Sequence, residues 1–487
     1  MTSRPPGLAR AGAGAAGPFT LESSDRATLS QRLSDAARRA RRERRPVLAA
    51  LTVSVPASLD LSAAVLGSRR PTDSYFCFEQ PERGGFVLAG LGEAAVSRAG
   101  GSDRFRVVAR SCRELAAGAF YDDASPGATP AGPVWVGGFA FAPNGGATPE
   151  WGSLDPARLV LPEVCLASAD GQARLTLSAV LDASEDPRSA EERLLERLGS
   201  LRTCDMPLLD PDLVARPRVA GAMPPSHYEG AVSRAVERIR AGELSKVVLA
   251  REVRVHASAP IDPAPVFDGL RTGFPSCYCY LVGTPELAFT GASPELLVRR
   301  DGARAQTVAL AGTTGRSADP AVDDHLGERL MASDKNREEQ AIVARRIERA
   351  LEPLSVWVGA AEAPVLIKVQ NVQHLATPIR AQLREPVSAI ELAGVLHPTP
   401  AVGGEPWERA AELIPALEGL DRGWYAGPVG WTDLAEDGEF CVALRCALLR
   451  GPVAHLYAGD GIVADSVPAE ELAETEVKLQ ALLPLLT

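Results

Sequence analysis

The chain has 487 residues, enough for one large core or two to three ordinary ones, and its 46% hydrophobic and 23% charged content excludes wholesale disorder. A formal net charge of −11 disfavours nucleic acid or an anionic membrane as the main partner, yet leaves room for a locally positive pocket that takes a small anion. No run of about 18 uninterrupted apolar residues occurs, which excludes a bilayer-spanning helix.

Residues 1–45 read as a disordered or helical N-terminal extension. Gly12 to Gly17 spell GxGxxG, but no strand precedes them and Pro18 follows, so the context of a dinucleotide-binding loop is missing. Arg4 and Arg10 are followed by no apolar leader core, and a cytoplasmic protein is expected. The basic run Arg38–Arg45 reads as the solvated end of a helix before Pro46. Across 46–215, apolar runs (Val47–Val55, Phe86–Leu91, Val134–Phe141, Arg174–Leu181) and the helical stretch Pro187–Arg202 predict an N-terminal α/β layer without a catalytic constellation. The Pro-rich segment 205–225 reads as a linker or surface crossover.

From about residue 225 to the end, long strands alternate with helices. The pattern predicts helix His227–Ala241, strands Lys246–Val255, Ser276–Val282 and Glu286–Phe289, helix Asp334–Leu351 capped by Ser333, and strand Val365–Gln373. Strands Glu439–Leu449 and Ala454–Tyr457 follow, then a helix from Pro468 to about Leu485 capped by Asp465 or Ser466. Antiparallel strands interleaved with helices predict an α+β layered sandwich. The eight cysteines contain no CxxC pair and read as reduced, buried thiols, with Cys277 and Cys279 on one face of a strand.

Of 51 basic residues only four are lysine: Lys246, Lys335, Lys368 and Lys478. Where a chain otherwise uses Arg, a retained Lys marks a position that needs a compact charge or a group able to give up its proton. In the last helix Glu471, Glu474 and Lys478 share one face, while Leu472, Leu479, Leu482 and Leu483 turn toward the core. Two carboxylates three apart on an anchored helix suit a hard cation, and a second acidic pair, Glu338-Glu339, opens the helix after Ser333. Ala458-Gly459-Asp460-Gly461-Ile462 reads as a Gly-rich turn whose backbone can approach an anion. Arg445, alternating with apolar neighbours, needs a carboxylate partner from protein or ligand.

Over residues 225–485 the sequence resembles the chorismate-binding enzymes, the isochorismate, salicylate, anthranilate and aminodeoxychorismate synthases. The resemblance rests on ordered blocks, among them GELSKVVLARE (242–252), GASPELLVRR (291–300), LAGTTGR (310–316), SDKNREEQAIV (333–343), VQHLATPI (372–379), LHPTPAVGG (396–404), YAGPVGW (425–431), FCVALRCALL (440–449) and AGDGIV (458–463). It implies two stacked, largely antiparallel sheets with outer helices and the active site between them, residues 225–487 forming the catalytic region. It implies Mg²⁺ held by Glu339 and Glu474 with Glu471 nearby. Lys478 and the backbone at Gly459, Gly461 and Ile462 would hold substrate carboxylate, Arg445 and Tyr425 would bind the pyruvyl carboxylate, and His397, Gly312 and Thr313 would line the pocket. Gln340 departs from the family's usual His beside Glu339.

Two positions bear on the member. Lys246 stands where the ammonia-using enzymes carry Gln, and Ala311 stands where aminodeoxychorismate synthases place a nucleophilic Lys. The resemblance therefore implies an isochorismate synthase that serves menaquinone or siderophore biosynthesis. In that case Lys246 would act as the base toward water and Glu295 as a buried acid toward the departing hydroxyl. A salicylate synthase, which goes on to eliminate pyruvate, is the alternative. A monomer or homodimer without an amidotransferase subunit is expected.

Overall fold

The structure is a computed structural model that describes residues 17–122, 132–209, 216–369 and 372–487. Its architecture follows from the alternation of buried side chains along long antiparallel strands. In strand Tyr75–Gln80, Phe76 and Phe78 point into one apolar cluster and Cys77 into another, and in Tyr278–Gly283 the residues Tyr278 and Tyr280 oppose Cys279 and Leu281 in the same way. A strand buried on both faces belongs to a sheet covered on both sides. Two large sheets result, of 12 and 10 strands among the described residues, and every pairing between their strands is antiparallel. One core fills the space between the sheets. The other lies beneath helices Ser23–Glu43, Leu61–Ser68, Pro187–Ser200 and Pro263–Gly273.

The strands of residues 47–181 do not form a layer of their own. Val47–Val55, Tyr75–Gln80 and Phe86–Leu91 join the larger sheet beside Tyr278–Gly283, whereas Val134–Phe139 joins the smaller one beside Pro428–Asp433. The N-terminal extension contains helix Ser23–Glu43, whose Leu29, Leu33, Ala36 and Ala40 are buried. The GxGxxG run lies outside the described residues except for Gly17. Within 205–225, the short strand Arg218–Gly221 pairs with Val253–His256, and 210–215 lie outside the described residues.

Several boundaries differ from the sequence pattern. Val365–Gln373 is two strands, Val365–Lys368 and Val372–Leu383, paired with Lys368 opposite Gln373; residues 370–371 lie outside the described residues. Glu286–Phe289 is replaced by Ala288–Ser293. The last helix runs Pro468–Leu479 and gives way to a short 3-10 turn at Leu483–Leu485, where Pro484 has no N–H to continue the ladder. Its N-cap is Val467; the Ser466 hydroxyl instead accepts from Val463 N at 3.1 Å, closing the preceding turn. Residues 458–462 are the end of strand Val453–Ile462, not a turn, because they pair throughout with Val247–Arg251. Helix Asp334–Leu351 starts as expected, with the Ser333 hydroxyl accepting from Asn336 N. Gln340, Val343, Ile347 and Leu351 recur three and four apart and are all buried.

Seven of the eight cysteines are buried, Cys204 is exposed, and all are free thiols. Among the described residues no helix is long and apolar enough to cross a membrane. The inter-sheet core is strongly aromatic: Phe289, fully buried, packs against Trp151, Tyr280 and Trp424 at centroid distances of 5.5, 5.6 and 6.3 Å. Phe289→Ala is expected to cost about 3–5 kcal/mol, through lost burial and the cavity left behind. A lowered midpoint of urea unfolding checks this.

Candidate active site

The chain changes sheets at two neighbouring points. Strand Ala288–Ser293 belongs to the larger sheet and Leu296–Asp301 to the smaller, so Pro294-Glu295 is a crossing. Gly438–Val442 and Cys446–Arg450 make the reverse crossing through Ala443-Leu444-Arg445. The expected single strand Glu439–Leu449 is therefore broken in the middle, and Arg445 takes a left-handed conformation with φ 47°. Two backbone bonds stitch the crossings together: Val442 N donates to Glu295 O at 3.0 Å, and Ala292 N donates to Arg445 O at 3.1 Å. Because Cys446 begins its strand opposite Tyr457, residues 458–462 have no strand neighbour on that side among the described residues. A cavity opens there, between the sheets, with Glu295 and Arg445 in its wall.

Lys246, the first residue of strand Lys246–His256, enters the cavity with only 1% of its surface exposed. Its Nζ is ion-paired with Glu339 Oε1 at 2.7 Å. Gly461 makes room for this pair: a β-carbon there would lie 2.6 Å from Glu339 Oε1 and 2.8 Å from Lys246 Cε. Gln340, next to Glu339, turns away and donates from Nε2 to Ala309 O at 2.8 Å and Thr377 Oγ1 at 3.0 Å, fixing the helix on the smaller sheet. Burial pushes the Glu295 carboxyl up to about 8, although Lys246 and Arg445 pull it back. Glu295 is thus a protonated acid near neutral pH. Burial also lowers the pKa of Arg445, whose Nη2 is buried without a partner among the described residues. A buried guanidinium donor left open in a cavity wall suits an anionic ligand.

The last helix supplies the opposite charge. Glu471, Glu474 and Lys478 all line the cavity, as their shared face requires. Lys478 Nζ pairs with Asp460, with Glu474 at 2.8 Å, and with Gly459 O at 3.1 Å. Burial opposes the charge on Glu474, but Lys478 and a hydrogen bond to Asp460 overcome it and hold the carboxyl down at about 2. Burial drives Asp460 the other way, well above the usual carboxylate range. Oxygens of Asp460, Glu471 and Glu474 lie within 4.8 Å of one another, and Asp460 Oδ2 is buried without a hydrogen-bond partner among the described residues. All-oxygen donors at this spacing fit a hard divalent cation. The cluster contains Asp460, absent from the expected metal set; Glu339 stands apart from it, paired with Lys246.

Tyr425, Gly312, Thr313, Gly459 and Gly461 also line the cavity, and Tyr425 stacks on Tyr457 at 5.3 Å. Two expected residues do not. His397 Nε2 is hydrogen-bonded to Phe141 O at 2.9 Å with its ring against Phe105 and Phe141, and Ile462 is fully buried opposite Val247. The cavity's histidine is His374, whose Nδ1 lies 3.1 Å from Thr313 Oγ1 while Nε2 is buried without a partner among the described residues. Burial, reinforced by Arg445 and Lys478, lowers its pKa to about 3, so the imidazole is neutral. His374 and Asp460 sit inside the blocks VQHLATPI and AGDGIV, the one signal that marked them; Tyr457 carried no such mark.

The family model for chorismate binding enzymes matches residues 33–487. The chain belongs to that family. Isochorismate synthase MenF of Bacillus subtilis strain 168 is 34% identical over 434 residues, covering 88% of this chain and 91% of the relative. The salicylate biosynthesis isochorismate synthase of Pseudomonas aeruginosa is 35% identical over 438 residues, covering 90% of each. Among solved structures, MenF, the menaquinone-specific isochorismate synthase from Escherichia coli, superposes with a TM-score of 0.76 at 29% identity, covering 94% of this chain and all of that one.

The raised pKa of Glu295 has a measurable consequence. Its folded value of about 8 lies above the roughly 4.3 of an unfolded glutamate. Between these values the folded state binds the extra proton, so this group's contribution to stability falls as pH rises from about 5 to 8 and is level above. The thermal midpoint of Glu295→Gln is expected to gain on the parent across pH 5–8 and then run parallel to it. A constant difference over that range contradicts the buried-acid assignment.

Proposed function

We propose that the protein is an isochorismate synthase, converting chorismate to isochorismate by adding water at C2 as the C4 hydroxyl departs. The observation that carries this reading is the meeting of a neutral buried acid, Glu295, and the buried Lys246 in one cavity between the sheets. The exchange needs one group to take a proton from the attacking water and another to give one to the leaving oxygen. In the proposal Lys246, parted from Glu339 and present as the neutral amine, takes the proton as the C2–O bond forms. The ring double bonds shift, and Glu295 protonates the C4 oxygen as its bond to carbon breaks. One water enters and one leaves, so substrate and product are isomers.

Arg445 offers its open donor to a substrate carboxylate, and Tyr425 forms the wall beside it. Ala311, in the cavity wall, supplies no amine for a covalent route. The relatives named above support the reaction, and one of them is named for menaquinone and another for salicylate biosynthesis. The cation is Mg²⁺ in this reading, held by Asp460, Glu471 and Glu474, with Glu339 available once parted from Lys246. When bound it neutralises and orients a substrate carboxylate as a Lewis acid. The reading is of a cytoplasmic enzyme that needs no amidotransferase subunit.

Chorismate with Mg²⁺ and no ammonia is expected to yield isochorismate reversibly, resolved by chromatography, with turnover lost in EDTA. Salicylate and pyruvate formed in equal amounts from the outset would establish the salicylate synthase instead, and an ammonium requirement would exclude the role given to Lys246. Lys246→Arg is expected to be nearly as inactive as Lys246→Ala, about 10²–10⁴-fold down in kcat, because Arg keeps the charge but not the exchangeable proton. Substantial activity in Lys246→Arg removes the base assignment.

A further inference from the structure

Behind the apolar wall of the cavity lies an ion pair that no step above uses. Glu418, at the end of helix Trp407–Glu418, and Arg422 are joined twice, with Arg422 Nε donating to Glu418 Oε2 at 3.0 Å and Nη2 to Oε1. Their side chains are 1% and 3% exposed. A pair buried this deeply is weak evidence for stability, since desolvation offsets most of the attraction, and its retention calls for another reason.

The remaining bonds supply one. The outer edge of strand Lys246–His256 is covered by Gly404–Glu405 at one end, opposite Val247 and Lys246, and by Arg218–Gly221 at the other, opposite His256 to Val253. Between them the ion pair stands in for a missing strand. Arg422 Nη2 donates to Val248 O at 2.9 Å, and Ala250 N donates to Glu418 Oε1 at 2.6 Å. Arg422 Nη1 donates to Val402 O at 2.8 Å, and Arg422 O accepts from Tyr425 N at 2.9 Å. Val248 and Val402 line the cavity on two separate segments of chain, and each accepts from this one guanidinium, while Tyr425, also in the wall, follows Arg422 by a backbone turn. The guanidinium lies 4.3 Å from the centroid of Phe141, which fixes its plane.

We infer that Arg422, held by Glu418, is a positioning residue that sets the cavity wall and the strand carrying Lys246 in one register, so that the substrate ring is aimed at Lys246 and Glu295. It touches neither substrate nor reacting atoms. The inference rests on the proposed reaction. Only a planar fork of donors reaches Val248 O, Val402 O and both Glu418 oxygens at once; a lysine keeps the charge opposite Glu418 but abandons the carbonyls. Since Arg445 and the wall side chains remain in Arg422→Lys, ground-state binding is kept while aim is lost.

The test is steady-state kinetics on chorismate well below the melting temperature, for the parent, Arg422→Lys and Arg197→Lys. Arg197 makes a comparably buried pair with Asp73 at 2.7 Å and does not line the cavity, so it reports what loosening such a pair does to the fold alone. Arg422→Lys is expected to lose at least about tenfold in kcat, within the range a misplacement near 1 Å produces, with KM changed less than about threefold. Arg197→Lys is expected to lower the melting temperature and leave both constants at parent values. A folded Arg422→Lys with the parent kcat overturns the inference. So does an equal loss of kcat in both variants, which assigns the effect to general loosening. Should Arg422→Lys fail to fold, Phe141→Leu leaves every bond of the pair and removes the ring against the guanidinium, along with its edge contacts to His397 and Trp407; a fall in kcat of about threefold at unchanged KM is expected, and the parent kcat in that variant overturns the inference. A parent protein that makes no isochorismate refutes the proposed function, and that outcome is separate from these.

Discussion

Two strands that leave one sheet for the other, side by side, are the constraint on which the site depends. At each crossing the chain stops pairing with its sheet, and the freed backbone groups are satisfied by the other crossing: Val442 N on Glu295 O, Ala292 N on Arg445 O. Buried backbone donors and acceptors demand such partners, so neither crossing is stable without its neighbour. The arrangement fixes an acid and a guanidinium within the layer where the two sheets bury a largely apolar core. It also ends the strand Cys446–Arg450 early, and the cavity occupies the gap that results.

Inside the cavity burial works on each charged group, and neighbouring charges oppose it to different degrees. Glu295 has charged neighbours but no ion pair among the described residues, and burial carries its carboxyl to about 8. Glu474 is only half-buried, and Lys478 at 2.8 Å holds its carboxyl well below the usual carboxylate range. Lys478 itself is held charged against burial by Asp460 and Glu474. The same low-dielectric space thus contains a carboxyl that holds its proton and a carboxylate that has given its own up. Separating acid and ligand roles among chemically similar groups in this way is how one site runs proton transfer and cation binding together.

The sequence pattern reached these residues unevenly. Lys246 and Lys478, two of the four lysines kept in an arginine-using chain, are both in the cavity, while Lys368 is spent on Asp323 and Asp324 near the surface. The face shared by Glu471, Glu474 and Lys478 followed from helical periodicity alone. Periodicity could not follow a chain that changes sheets: Glu439–Leu449 reads as one mostly apolar run, yet its halves lie in different sheets and Arg445 sits at the corner. His397 was expected in the cavity and His374 was not, because one histidine in a matched block looks like another until its neighbours are known. His397 faces Phe105 and Phe141; His374 faces Thr313.

Local chemistry in the chain determined its elements, the Ser333 cap, the acidic helix face, and a set of blocks whose order identifies the family. These depend on residues a few positions apart, and such information is complete in a linear string. Tertiary structure decided that Asp460 joins Glu471 and Glu474, that Glu339 pairs with Lys246 across Gly461, and that Arg422 bridges two segments of the cavity wall. Each of these joins residues brought together by pairing between distant strands, whose register is set by the packing of whole sheets and not by any local pattern.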